Sequence, residues 1–193
     1  MRLPFRITVC GIDELSGHCE AGVSHVLSIL DPGHPEPSAF GSFGEHVRLE
    51  LRFNDIIEEA PDMQMPSRLH VEQLLAFGRT LPTEAQAHLL VHCHAGISRS
   101  SASMTLLLAQ AMPDCPAAAI FDEVLRIRPI IWPNLRILEL GDAALRRDGA
   151  LIEAAAGLYG RQLERRPELS ELYRGNGRGR EVQMGRMDGV TNG

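Results

Sequence analysis

The amino-acid sequence predicts an α/β fold in which helices flank a central β-sheet. Two observations predict it. Segments with the periodicity of strands occupy much of the first ninety residues, and segments with the periodicity of helices dominate from about residue 100 onward. Strands that come first, with helices between and after them, are typical of an α/β sandwich.

Four strands are predicted from the pattern of apolar and polar side chains. Residues 3–9 alternate, and residues 23–30 stop at the turn signal Asp31-Pro32-Gly33. Residues 46–53 alternate most regularly, which is typical of a half-buried strand. Residues 88–91 form a short apolar run that suits a buried central strand.

The helices are predicted from caps and from helical spacing. Ser67 can cap a first helix, in which Leu74 and Leu75 have helical spacing with Val71. The later helices are predicted over residues 100–112, 116–127, 134–147 and 151–165.

The C-terminal segment differs in composition from the rest of the chain. Residues 174–193 contain six of the 18 glycines and almost no large apolar side chains, too few to offset the entropy of ordering. We therefore expect one domain over residues 1–168 and a flexible tail without a catalytic part over residues 169–193.

Composition and charge exclude several classes of function. The formal net charge is −6, all 19 cations are arginine, and the acidic balance argues against a nucleic-acid or anionic-membrane binder. No apolar run is long enough to span a membrane, and Pro4 and Arg6 interrupt the segment where a signal peptide would lie. We expect a cytoplasmic monomer.

Four cysteines are present, and no two form a C-x-x-C pair. Cys10, Cys19 and Cys115 are therefore expected to be small buried hydrophobic residues. The triplet His92-Cys93-His94 is not expected to bind a metal, because adjacent residues rarely converge on one ion. We expect no metal and no cofactor.

The segment from Val91 to Ser101, VHCHAGISRSS, predicts the chemistry. A bare C-x5-R pattern carries little information, but His before the cysteine, Gly three residues after it and Ser after the arginine make a specific combination. The context also fits, because an apolar strand precedes the segment and a helix that begins with small residues follows it.

Each residue type in this segment suits the binding and transfer of a phosphoryl group. A tight loop that leads into a helix directs backbone N–H groups at an anion. The expected phosphate-binding residues are His94, Ala95, Gly96, Ile97, Ser98 and Arg99. Arg99 offers a planar fork for two phosphoryl oxygens, and the same positive field favours the thiolate of Cys93 as a nucleophile. Ser100 can donate a hydrogen bond to the departing sulfur.

The segment resembles the signature H-C-x-x-G-x-S-R-S of the dual-specificity branch of the cysteine-dependent protein tyrosine phosphatases. Within that superfamily, the chain resembles a small bacterial-type member. The similarity of layout covers about residues 20–145, including Arg126-Ile127-Arg128-Pro129, which resembles the loop that buttresses the signature. The resemblance implies a three-layer sandwich around a mostly parallel sheet of about four to five strands. It also implies a metal-independent enzyme that forms a cysteinyl-phosphate.

The resemblance implies a role for each matching residue. Cys93 would be the nucleophile, Arg99 the phosphate clamp and Ser100 the hydroxyl that stabilises the thiolate. His92 and Asn134 would support the loop. The sequence departs from the tyrosine-specific members, because no Trp-Pro-Asp motif precedes the signature and Trp132-Pro133-Asn134 follows it.

A general acid is expected in the loop after the third strand, which carries Asp55, Glu58, Glu59 and Asp62. Asp62 lies 31 residues before Cys93, close to the interval usual in the family, and Asp55 lies 38 residues before it. We favour Asp55, because it directly follows a well-patterned strand and reactive groups gather at the C-terminal ends of parallel strands. Asp62 stays the alternative.

The sequence therefore predicts a phosphatase whose substrate is a phosphorylated protein or a small phosphoester. Two alternatives stay open: a phosphate-binding module without turnover, and another C-x5-R chemistry such as arsenate reduction or sulfur transfer.

Overall fold

The computed structural model describes residues 3–82 and 87–191. Three short segments lie outside this part: residues 1–2 of the predicted domain, residues 83–86, and residues 192–193 of the predicted tail. Its sheet has four strands: β1 Arg6–Cys10, β2 His25–Leu30, β3 Val47–Arg52 and β4 His88–His92. The strand order is β1-β4-β2-β3, and every pairing is parallel. The predicted α/β sandwich around a parallel sheet is confirmed.

Seven α-helices follow or separate these strands in the described residues. They are α1 Arg68–Gly78, α2 Arg99–Ala111, α3 Ala117–Ile127, α4 Leu135–Leu145, α5 Ala150–Arg165, α6 Leu169–Gly175 and α7 Gly179–Thr191. The predicted cap is present, since the Ser67 hydroxyl accepts a hydrogen bond from the backbone N–H of His70. Two short 3-10 helices cover Ile12–His18 and Ser38–Ser42.

The central strands β2 and β4 are buried along their whole length. Their side chains alternate between two apolar clusters. Leu27 and Leu89 belong to the larger cluster, which includes residues of α1 to α5. Val26 and Leu90 belong to a smaller cluster with residues of the 3-10 segments. The sheet is therefore covered on both faces, as a parallel sheet requires.

The parallel arrangement brings three loops to one edge of the sheet. Asp31 follows β2, Phe53 to Asp55 follow β3, and Cys93 follows β4. Because the carboxyl ends of parallel strands meet at the same edge, residues far apart in sequence converge there.

The C-terminal segment differs from the prediction of a flexible tail over residues 169–193. Residues 169–191 include the helices α6 and α7, and α7 packs against α5. The glycines suggested disorder, but Gly185 lies so close to α5 that an added Cβ would be 2.8 Å from the backbone nitrogen of Gly160. Small residues here permit close helix packing, which composition alone does not reveal.

In the described residues, no helix combines the length and apolar character needed to cross a membrane.

Candidate active site

The signature loop runs from Cys93 to Ser98, between β4 and the N-terminus of α2. Gly96 has φ +70°, and an added Cβ would lie 2.5 Å from the carbonyl carbon of Cys10 and 2.6 Å from the nitrogen of Gly11. Both the backbone conformation and the close approach of the chain after β1 therefore require glycine at this position.

Three carbonyl groups of this loop face its supporting segments. His94 O accepts from the N–H of Ile12 at 2.9 Å, Ala95 O from Arg128 Nη2 at 2.9 Å, and Ile97 O from the N–H of Trp132 at 3.0 Å. A trans peptide directs its N–H opposite to its carbonyl. The N–H groups that follow these carbonyls therefore point toward the cleft, where an anion would meet them.

Cys93 is buried at the base of this loop, and its Sγ lies 3.2 Å from Ser100 Oγ. His92 Nε2 and Ser28 Oγ are 2.8 Å apart, and burial lowers the pKa of His92 to about 4. His92 is therefore a neutral, buried residue that anchors the end of β4 to β2.

Arg99 is 3% exposed, and its hydrogen bonds use one nitrogen. Nη1 donates to Asp31 Oδ1 at 2.6 Å and to the carbonyl of Phe53 at 2.6 Å. Nε is buried and has no hydrogen-bond partner among the described residues. One edge of the guanidinium is thus held by the protein, and the edge that includes Nε carries a donor that no described residue uses.

Asp31 is a site residue that the sequence analysis missed, because it was considered only as part of a turn. Its position directly after β2 is the signal that could have identified it. Its backbone N–H donates to His94 Nε2 at 3.2 Å, and burial lowers the pKa of His94. The lowered pKa favours the neutral form of the His94 side chain, whose Nε2 accepts this hydrogen bond.

Asp55 lies at the cleft, bound by groups from three parts of the chain. Its Oδ1 accepts hydrogen bonds from Ser98 Oγ at 2.7 Å and from Asn134 Nδ2 at 2.8 Å, and Arg178 Nη1 lies 3.3 Å from both carboxylate oxygens. Burial raises the pKa of Asp55, but the charges of Arg178 and Arg99 and these hydrogen bonds outweigh it, so the pKa is lowered. Asp55 is therefore a carboxylate in the free protein.

Asp62 is exposed, has φ +58°, and is not among the residues that line the cleft. The structure thus brings Asp55 to Cys93 and leaves Asp62 outside. Which carboxyl acts as the general acid stays a prediction.

Arg178 and Tyr173 are cleft residues that the sequence analysis assigned to a tail without a catalytic part. Tyr173 stacks on Trp132 with ring centroids 4.2 Å apart, and Tyr159 packs against Trp132 at 4.7 Å. No local signal in the sequence indicated these contacts, because they form only when α6 and α7 pack against the domain.

The cleft above the loop has a volume of about 730 Å³. Its walls combine acidic Glu58 and Glu59 with apolar residues: Ile56, Ile57, Met63, Leu172 and Tyr173. Within the described residues, no group of three or more His, Cys, Asp or Glu residues is arranged to hold a metal ion.

No family model matches the sequence, and no curated protein matches it. Solved structures do match the fold. The PTPMT1 structure in complex with PI(5)P is 14% identical with a TM-score of 0.54, and the match covers 74% of this chain and 91% of that chain. Human DUSP28 is 19% identical with a TM-score of 0.51, and the match covers 74% of this chain and 94% of that chain.

The human tyrosine phosphatase-like serine/threonine/tyrosine-interacting protein is 19% identical with a TM-score of 0.51, covering 72% of this chain and 87% of that chain. The chain has the dual-specificity phosphatase fold. In this fold, Cys93 and Arg99 lie in the segment formed by β4, the signature loop and α2, as the sequence predicts.

Proposed function

We propose that this protein is a cysteine-dependent phosphatase that hydrolyses phosphomonoesters through a cysteinyl-phosphate. One observation carries the proposal: Cys93 Sγ lies 3.2 Å from Ser100 Oγ at the base of a loop whose carbonyls bond to its supporting segments, and Arg99, whose Nε no described residue uses, lines the same cleft. A nucleophile, a ring of N–H donors and a guanidinium fork are the groups that phosphoryl transfer requires.

In the first step, the Cys93 thiolate attacks phosphorus, so that a P–S bond forms and the P–O ester bond breaks. The electron pair of that bond leaves with the ester oxygen, which takes a proton from the Asp55 carboxyl. The N–H groups of the loop and the fork of Arg99 hold the three remaining phosphoryl oxygens.

In the second step, water attacks phosphorus and transfers a proton to the Asp55 carboxylate. The P–S bond breaks, the sulfur leaves as a thiolate, and the Ser100 hydroxyl donates to it. The products are inorganic phosphate and the enzyme with Asp55 protonated, and Asp55 releases this proton to solvent once the phosphate leaves.

The lowered pKa of Asp55 in the free protein has to rise before it can act as an acid. A bound phosphate dianion does this in two ways, because it places negative charge near the carboxyl and neutralises Arg99, one of the cations that lower the pKa. Substrate and the catalytic proton are therefore expected to bind together.

The charges of the cleft favour a substrate with one phosphate. Among the described residues that line it, the cations are Arg99 and Arg178, and each is buried and paired with a carboxylate. Glu58 and Glu59 would repel a second phosphate. A phosphorylated protein or a small monophosphate therefore fits this cleft better than a polyphosphorylated inositol.

The test is hydrolysis of an aryl phosphate with a chelator present, for the wild type, Cys93→Ser and, as a matched control, Cys19→Ser. We expect activity in the wild type and control, none in Cys93→Ser, and tungstate binding in all three. A panel of phosphopeptides, phosphoinositides and nucleotides then ranks substrates.

Tungstate binding without turnover of any substrate would favour the non-catalytic binding module. Turnover that persists in Cys93→Ser would contradict the proposal, as would activity found only with arsenate or a sulfur donor.

A further inference from the structure

A buried ionic cluster joins the C-terminal helices to the cleft. Arg178, in the connection between α6 and α7, is 3% exposed, and Glu181 is fully buried. Arg178 Nε and Nη2 donate to Glu181 at 2.8 and 2.7 Å, while Nη1 donates to Ser98 Oγ at 2.8 Å and faces Asp55. We call Asp55, Ser98, Arg178 and Glu181 the Arg178 cluster.

The backbone around Arg178 is held in place from several sides. Gly177 has φ +73° and turns the chain between the two helices. The Arg178 guanidinium lies 5.1 Å from the centroid of the Tyr173 ring, and the backbone N–H of Arg178 donates to Tyr173 O at 2.8 Å.

Glu181 is tied to the core independently of Arg178. It accepts hydrogen bonds from Trp132 Nε1 at 2.6 Å and from the backbone N–H of Leu135 at 2.9 Å. Glu181 therefore fixes one side of the guanidinium, and the other side, Nη1, is directed at the Asp55 carboxylate and its partner Ser98.

We propose that Arg178 is a positioning residue for Asp55, so that α6 and α7 complete the active site. The inference rests on the proposed function, in which Asp55 exchanges protons with substrate and water. Arg178 and Asp55 are separated by 123 positions in sequence, and Arg178 reaches the carboxylate from the C-terminal end of the chain.

The contact has an electrostatic consequence that can be measured. Arg178 from the α6–α7 connection and Arg99 from α2 both lower the pKa of Asp55. Among the described residues, His94, Tyr159 and Tyr173 also interact electrostatically with its carboxylate. Because Asp55 donates in its protonated form, activity falls as pH rises through its pKa. Loss of the Arg178 charge is expected to raise that pKa and to move the fall in activity to higher pH.

The main variant removes both buried charges together, Arg178→Gln with Glu181→Gln, because an unpaired buried charge would destabilise the fold. The control is Arg165→Gln, which removes an exposed cation at the C-terminal end of α5. In this paired variant, Arg178→Gln with Glu181→Gln, we expect kcat for phenyl phosphate to fall about tenfold. The loss of kcat should be smaller for p-nitrophenyl phosphate, whose leaving group needs less help from an acid. The fall of kcat/KM with pH should shift upward by at least half a pH unit, and the control should match the wild type.

A double-mutant cycle with Asp55→Asn separates positioning from a general effect on the fold. In the Asp55→Asn background, the Arg178 change is expected to cost no further activity. Arg178→Lys provides a second variant that keeps the charge but cannot reach Asp55, Ser98 and Glu181 together; it should lose activity only when Asp55 is present. If the loss of activity in the combined variant equals the product of the losses that the two changes cause separately, the proposal is overturned.

Carboxyl ¹³C titration of Asp55 tests the contact without relying on turnover. The midpoint is expected to rise in the paired variant relative to the wild type, and an unchanged midpoint would overturn the inference. If the wild type shows no Cys93-dependent hydrolysis while the midpoint still shifts, the proposed function fails and the Arg178–Asp55 contact stands.

Discussion

Arg99 Nη1 lies 2.6 Å from Asp31 Oδ1, which joins the first residue of α2 to the residue that follows β2. The ion pair turns one edge of the guanidinium into the protein, and buried Nε on another edge is left without a described partner. The protein thus orients the fork before any anion arrives, which reduces the entropy lost on phosphate binding.

Arg99→Lys is expected to lower kcat at least about 100-fold while KM changes less, although the charge is retained. An ammonium cannot bind Asp31 and two phosphoryl oxygens in one plane. Steady-state kinetics with an aryl phosphate measure the effect, and Arg126→Lys, an exposed arginine paired with Glu123, is the matched control. A variant with near-normal kcat would contradict the clamp role.

Asp55→Asn is expected to lower kcat about 100-fold or more for substrates with a poor leaving group, and less for those with a good one. Asp62→Asn should leave kcat within about twofold, since Asp62 does not line the cleft. Comparing kcat for phenyl phosphate, which has the poor leaving group, with kcat for p-nitrophenyl phosphate shows which of the two carboxyls acts as the acid. If only Asp62→Asn shows the dependence on the leaving group, the acid is Asp62.

The pH dependence should differ between the two kinetic parameters. The decline of kcat/KM at rising pH reports Asp55 in the free enzyme, where its pKa is lowered, and the decline of kcat reports the complex, where bound phosphate raises it. Since the acid works protonated, kcat/KM should fall at lower pH than kcat. Profiles with phenyl phosphate test this, and coincident declines would argue against uptake of the proton with substrate.

Iodoacetamide at pH 6 is expected to label Cys93 before the other cysteines, because its sulfur lies at the base of the signature loop, 3.2 Å from Ser100 Oγ. Burial raises the pKa of Cys10 to about 12, so Cys10 should react last. Peptide mapping by mass spectrometry identifies the labelled residue, and tungstate should slow its reaction. Earlier labelling of Cys10 or Cys115 would contradict the assignment.

Gly185→Ala should lower the free energy of unfolding by about 1–3 kcal/mol, because the added Cβ would meet Gly160 and Tyr159 at 2.8 Å and push α7 from α5. Gly175→Ala is the matched control, since nothing lies within 4 Å of its added Cβ. Urea denaturation measures both. Equal stability of the two variants would mean that α7 does not pack closely on α5.

Much of the fold and the centre of the site follow from local patterns. The alternation over residues 46–53 predicted β3, the cap at Ser67 predicted the start of α1, and the spacing around Cys93 predicted the loop between β4 and α2. These features depend on neighbours along the chain, so the order of residues determines them. The parallel sheet then brings Asp55 to the same edge as Cys93.

Only the tertiary structure decided which distant groups meet at that edge. Asp31 and Arg99 are 68 positions apart, and Asp55 and Arg178 are 123 positions apart. The helices α6 and α7 have a composition that predicts disorder, because few of their side chains can bury apolar surface alone. Contact with α5 and Trp132 supplies the missing burial, and the glycines that lower helix propensity allow that contact. The sequence by itself determined the loop that carries Cys93 and Arg99 and the strands that present it. Long-range packing decided the surroundings of Asp55, since no local pattern encodes a contact between residues 123 positions apart.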